Sequence, residues 1–258
     1  ANDLAVAIRY PCWIQAQWSA AAVRRRQGHS FARDRWRCSR VPYRRAVIVE
    51  WKALLVAIRA NLVALCVVLV GVGIAVTLPL TFPGDGAATD LDRELAEPIH
   101  SALDEHPGGY EAMVIPSNGY ILIPLLLAAA AWFGYRGQWR RAVAMVAIPE
   151  VVVGINSWVL KPLWDRPLHD YLAYPSGHTV HLVAIATAFV MLTDSTRARV
   201  GTIAIATAAL VCAAVGMIGL GYHLPTDILG GTAVAIALVV VCWKLTERFL
   251  SEQARVDS

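Results

Sequence analysis

The feature that most constrains this chain is a set of apolar runs close to the length of a bilayer. The first extends from about Leu54 to Leu80 and carries a single charge, Arg59, near its start. A helix needs about 20 consecutive apolar residues to cross the hydrocarbon core. Five further runs follow, at about Asn118–Tyr135, Ala142–Leu160, His178–Leu192, Val200–Leu220 and Asp227–Trp243. They are continuous, not alternating, which argues against barrel strands. Only 16% of the residues are charged, against about 25% in a soluble domain. The expected fold is all-α: a polytopic membrane protein whose six transmembrane helices form one bundle over residues 47–250.

The overall charge of +4 hides an asymmetry. Residues 1–46 hold ten arginines and two aspartates, whereas the rest has 13 basic and 17 acidic residues. The leader reads as a disordered cytoplasmic tail, or as sequence ahead of a start at Val47 or Val49, and not as a nucleic-acid-binding arm. No secretory signal peptide is evident. Residues 251–258 read as a second cytoplasmic tail. Basic residues in short loops mark the cytoplasmic side. The leader, the Tyr135–Arg141 loop, the loop with Arg197 and Arg199, and the tail share one side if there are six spans. The loops Pro83–Ile115, Lys161–Gly177 and Gly221–Thr226 then face outward. Within the first, the acidic stretch Asp90–His100 is either a short amphipathic helix or plain loop. The five cysteines lack metal-ligand spacing, and no metal or cofactor is expected.

The later outer loops concentrate chemistry. One reads Lys161-Pro-Leu-Trp-Asp-Arg166-Pro167 and ends in Pro175-Ser-Gly-His178; the other reads Gly221-Tyr-His223-Leu-Pro-Thr-Asp227. Ser176, Gly177 and His178 stand at the start of the fourth span. There the first N–H groups have no intrahelical partner and the helix dipole favours an anion. Glycine lets an anion approach the backbone, and the serine hydroxyl is a further donor. Lys161 and Arg166 add positive charge. Asp227, one turn beyond His223, can orient its ring and stabilise the imidazolium. His223 is then a nucleophile toward phosphorus, and His178 a general acid. His181, one turn inside the span, reads as a polar packing or supporting residue.

These segments resemble the type 2 phosphatidic acid phosphatase superfamily, whose motifs are KxxxxxxRP, PSGH and SRxxxxxHxxxD. Pro175–His178 matches the second motif completely, and His223 to Asp227 has the spacing of the third. The resemblance implies a six-helix bundle, an active site at the outer membrane face, a metal-independent phosphohistidine intermediate on His223, and His178 as proton donor. It also implies a membrane lipid substrate, a lipid phosphate or a polyprenyl (di)phosphate.

The chain departs from the pattern in two places. Four residues, not six, separate Lys161 from Arg166, and the third motif's serine and arginine fall at Gly216 and Met217. Either another residue replaces that arginine, or activity is low, or the protein binds lipid phosphates without turnover. The short Pro167–Pro175 connection leaves little of a lid. A transporter or channel, resting on Glu150 and Asn156 in the third span, is the remaining reading.

Overall fold

The computed structural model describes residues 43–256. The expected Arg-rich leader therefore lies outside the described residues over 1–42. The chain divides into units 1–51 and 52–258, and the second carries the architecture. Helix α1 (Tyr43–Thr77) runs into a 3₁₀ turn at Leu78–Thr81, followed by α2 (Asp90–Leu103) and α3 (Pro107–Val114). Helix α4 (Gly119–Tyr135) precedes α5 (Trp139–Ile155), which continues through a π-helical turn at Asn156–Leu160 into the short α6 (Lys161–Trp164). A two-stranded antiparallel hairpin, β1 (Pro167–Leu168) and β2 (Tyr171–Leu172), leads to α7 (Gly177–Leu192), α8 (Thr196–Gly219) and α9 (Pro225–Val256).

The fold is an all-α membrane bundle. Among the described residues, five helical stretches are long and apolar enough to cross a bilayer: Ile58–Thr81, Pro107–Tyr135, Trp139–Trp164, Thr196–Gly219 and Pro225–Glu247. The expected fourth span, α7, has only 16 residues, or about 24 Å at 1.5 Å per residue. It is the central helix, packed by α4, α5, α8 and α9, with Val180, Ala184, Ile185 and Ala188 buried. A helix enclosed by protein satisfies its surroundings without matching the bilayer.

Boundaries also move. The first helix reaches back to Tyr43, ahead of the apolar run expected from about Leu54. The second crossing extends back from Asn118 to Pro107 through α3 and a 3₁₀ turn. Helix α9 continues through residues expected as tail, to Val256.

The acidic stretch is helical, and its start positions the site. Thr89 and Asp92 form a reciprocal capping box, which satisfies two of the orphan donors at a helix start. Asp92 is fully buried, and its Oδ1 accepts the Thr226 N–H at 2.8 Å, joining the first turns of α2 and α9. Arg166 completes the junction. Its Nη2 donates to Asp92 Oδ2 at 3.0 Å and to the Ala87 carbonyl at 3.2 Å. Its Nη1 donates to Asp227 Oδ1 at 2.8 Å and Thr226 Oγ1 at 2.7 Å, and Nε to the Gly86 carbonyl at 3.4 Å. Phe82 lies against its guanidinium carbon, 3.8 Å from ring centroid to Cζ. A guanidinium has five N–H donors, and all five are used.

A second tie is made by Tyr174, whose hydroxyl donates to the Ala75 carbonyl of α1 at 2.8 Å. Its ring rests on α9 at Gly230, where a Cβ would stand 2.1 Å from the ring carbon Cε2. Only glycine admits that approach, so the backbone before α7 sits directly on α9.

Arg166→Met leaves two buried carboxylates without their cation. Breaking a buried pair costs about 3–5 kcal/mol, and a lower unfolding temperature in detergent is the expected outcome. A pH series tests Asp92 separately. Burial opposes its ionisation, but the N–H groups of Thr226 and Thr89, with Arg166, outweigh burial and hold Asp92 below the usual carboxylate range. The stability this confers is present above the ordinary aspartate range and is lost as the pH falls through the lowered value. Asp92→Asn is expected to show a smaller acid-induced fall in unfolding temperature than the wild type.

Candidate active site

Helix α7 begins where Ser176 caps it. The Ser176 hydroxyl oxygen accepts the Thr179 N–H at 3.4 Å and the Thr179 hydroxyl at 3.1 Å, and the residue is fully buried. The hydroxyl is engaged in starting the helix. What the turn leaves toward the interior of the site are the backbone at Gly177 and the ring of His178. Both line a cavity of about 540 Å³, together with Lys161, His181, His223 and Tyr171. Lys161 reaches across this helix start: its Cε lies 4.0 Å from where a Gly177 Cβ would be, and its ammonium donates to the Leu172 carbonyl.

His223 enters from the opposite wall. It sits in the turn between α8 and α9, just after Gly221 at φ +70°, and is 5% exposed. The Tyr222 N–H donates to the Met217 carbonyl at 2.8 Å and closes α8 behind it. The rings of His178 and His223 face each other edge to face with centroids 6.0 Å apart. His223 Nδ1 points toward Asp227 Oδ2 at 3.7 Å and has no hydrogen-bond partner among the described residues. Oδ2 is held in place by the Leu224 N–H at 2.9 Å. Since Nδ1 faces the carboxylate, Nε2 is the nitrogen available to the cavity.

The expected phosphate ligands therefore separate. Lys161 and Gly177 are on the cavity. Arg166 is not: it is 2% exposed and its donors are saturated by the α2–α9 junction, because two carboxylates converge where the sequence shows only its neighbour Asp165. Ser176 is likewise turned inward to cap α7. Asp227 stands behind His223 and divides its carboxylate between Arg166 and the Leu224 N–H. Asn156 is buried, with Nδ2 donating to the Pro175 carbonyl at 3.4 Å, so it supports the turn before α7 instead of marking a pathway.

The third-motif departure has a packing cause. Helix α3 lies against α8 so closely that a Cβ on Gly216 would stand 2.6 Å from the Tyr110 carbonyl oxygen and the Val114 nitrogen. Met217 is fully buried and packs with Val114, Ala213, Ile218 and Ile228. The space where the motif's arginine would lie is apolar core.

Two participants were not foreseen. Asp92 lies 74 residues from Arg166 in sequence; the capping-box spacing Thr89 to Asp92 signals the helix start but nothing of that contact. Tyr171, in the hairpin expected to leave the site uncovered, lines the cavity and stands edge to face with His223, centroids 6.1 Å apart. Burial first, then the charges of Asp227 and Asp170, push its hydroxyl above the usual range. It stays protonated and donates to the Tyr222 carbonyl.

The site and bundle define a membrane protein with two histidines opposed at a helix start. Residues 138–250 match the family model described as the PAP2 superfamily. Among solved structures it is similar to a transmembrane PAP2 type phosphatidylglycerolphosphate phosphatase from Bacillus subtilis, at 20% identity and a TM-score of 0.54. The match covers 72% of this chain and 96% of that one, and at this identity the likeness is one of fold. No curated protein matches the chain.

Met217→Arg tests whether the family's arginine site persists. A guanidinium would have to replace buried apolar packing, and an unpaired intramembrane charge costs several kcal/mol. Reduced yield of monodisperse protein and a lower unfolding temperature are the expected result. A stable variant with faster turnover would show a latent arginine site.

Proposed function

We propose that the protein is an integral-membrane phosphatase that hydrolyses a lipid phosphate or polyprenyl (di)phosphate through a phosphohistidine on His223. The observation that carries this reading is the opposition of His178 and His223 across one cavity, with a carboxylate behind the second ring and a lysine over the start of α7. The phosphate would lie between Lys161 and the N–H groups of Gly177 and His178. Nε2 of His223 attacks phosphorus, and the bond from phosphorus to the lipid oxygen breaks as His178 donates a proton to that oxygen. Water then attacks the phosphohistidine and gives its proton to His178. The phosphorus–nitrogen bond breaks, and inorganic phosphate and free His223 result.

The charge arrangement supports these steps. One guanidinium faces two carboxylates, so the junction carries one surplus negative charge. Asp227 lies nearest the ring that becomes positive when phosphorylated, and an unlinked 3.7 Å contact can tighten in the reacting complex. The lipid tail would occupy an apolar cleft of about 380 Å³ lined by Leu122, Leu125, Ile185, Phe189 and Ile205. Pro116 on this cleft is the sequence neighbour of Ser117 on the cavity. A second reading, a lipid-phosphate binder without turnover, is favoured only by the burial of Met217 in the arginine position.

With purified protein and a panel of lipid phosphates, His223→Ala is expected to abolish phosphate release while leaving the unfolding temperature near that of the wild type. Single-turnover reactions quenched in base should trap an acid-labile phosphoenzyme in the wild type alone, with or without EDTA. Undiminished release by His223→Ala would exclude the phosphohistidine, and phosphate binding without release would leave the binder.

Sidedness is proposed from the arginines: multi-pass in the cell membrane, both termini cytoplasmic, the cavity outward. A reporter that is active only in the cytoplasm, fused after Arg199, is expected to be active; silence there would invert the topology.

A further inference from the structure

One histidine of the cavity, which the two-step reaction does not use, is paired with a carboxylate beside it. His181 lines it one turn below His178 on α7, and its Nε2 lies 3.3 Å from Glu150 Oε1 on α5. Glu150 sits well inside the Trp139–Trp164 span, with its side chain 49% exposed at the bundle's apolar surface. A carboxylate at such depth is costly unless it is paired. Val153, one turn further along α5, lines the same cavity, so the α5 face bearing Glu150 is continuous with it.

We infer that His181, held by Glu150, is a second cationic group that binds the substrate's phosphate, in place of the arginine whose position Met217 fills. The inference rests on reading the cavity as a phosphate site. Glu150 of α5 is the ion-pair partner of His181, and the cavity is further lined by Val153 from α5, His178 from its own helix, Lys161 from α6 and Tyr171 from β2. Tyr222 and His223 line it from the α8–α9 turn, and Ser117 and Gly119 from the start of α4. Among the described residues that line the cavity, Lys161 is the one lysine or arginine. Arg166 is spent in the junction.

The ring geometry suits the role. Nε2 is buried and lacks an aligned hydrogen bond among the described residues, but the nearest acceptor is the Glu150 carboxylate. Nδ1 is then the nitrogen left for the cavity. Once a phosphate enters, the ring stands between two anions. Only the imidazolium has an N–H for each. A pair that merely joins α5 to α7 would contribute to stability and leave phosphate affinity untouched.

The test uses the full-length protein in detergent, with inorganic phosphate as the bound probe and a lipid phosphate as substrate. His181→Gln is expected to weaken phosphate binding and raise KM by about tenfold, the loss of a single contact, with kcat changed by less than about threefold, as for binding shared by ground and transition states. Glu150→Gln should shift affinity in the same direction. His181→Lys restores a fixed charge and should recover near-wild-type phosphate affinity. If His181→Gln fails to fold, Glu150→Gln, which preserves shape, decides. Unchanged phosphate affinity in the folded variants, with a lower unfolding temperature, would overturn the assignment and leave a packing pair. Wild-type protein that neither binds inorganic phosphate nor releases it from lipid phosphates would overturn the reading of the cavity itself, and this inference with it.

Discussion

Arg166 holds together segments that have no other reason to meet. Its planar fork joins the first turn of α2, the 82–87 loop and the first turn of α9, and each of those turns begins a helix whose own N–H groups need acceptors. Asp92 serves α2 through the capping box and α9 through Thr226. Asp227 serves α9 through the Leu224 N–H and faces His223. A buried ion pair contributes little net stability compared with apolar packing, but once built it tolerates few alternatives. The position of His223 follows from this junction, since the turn that carries it is fixed at one end by Asp227 and at the other by the Met217 carbonyl.

The same economy explains the charge of the cavity. The arginine that sequence reasoning would place on a phosphate is consumed in pairing with two carboxylates. The cavity is left with one lysine, three histidines and a helix start. Such a site has less permanent positive charge than one with two free arginines, and leans more on groups whose charge depends on their partners. The surplus carboxylate of the junction stands behind His223, and Glu150 stands behind His181. His223 and His181 thus each have a carboxylate beside the ring, a disposition that orients a ring and stabilises its positive form.

The lost third-motif arginine was visible at once as Met217, but its meaning was not. From sequence, a missing cation suggests a weakened phosphate site. In the structure the neighbouring glycine admits α3, and Met217 belongs to the core that α3 creates with α8 and α9. Likewise the Pro167–Pro175 connection, too short for a lid, still folds into a hairpin whose Tyr171 covers one side of His223.

The sequence by itself determined the class of fold, because runs of apolar residues near bilayer length have few other solutions. It also determined the pairing of Pro175–His178 with His223 and Asp227, whose local spacing places them at two helix starts. It could not determine which cations face the ligand. Arg166 and Ser176 have the right chemistry for phosphate, yet Ser176 caps its own helix through Thr179, and the orientation of Arg166 depends on partners brought by chain topology: Asp92 from 74 residues away and Asp227 from 61. Hydropathy and motif spacing report short-range periodicity and composition. Buried charges are settled by whichever opposite charges and unsatisfied backbone groups the packed helices bring within hydrogen-bond reach, and that is a property of the tertiary structure alone.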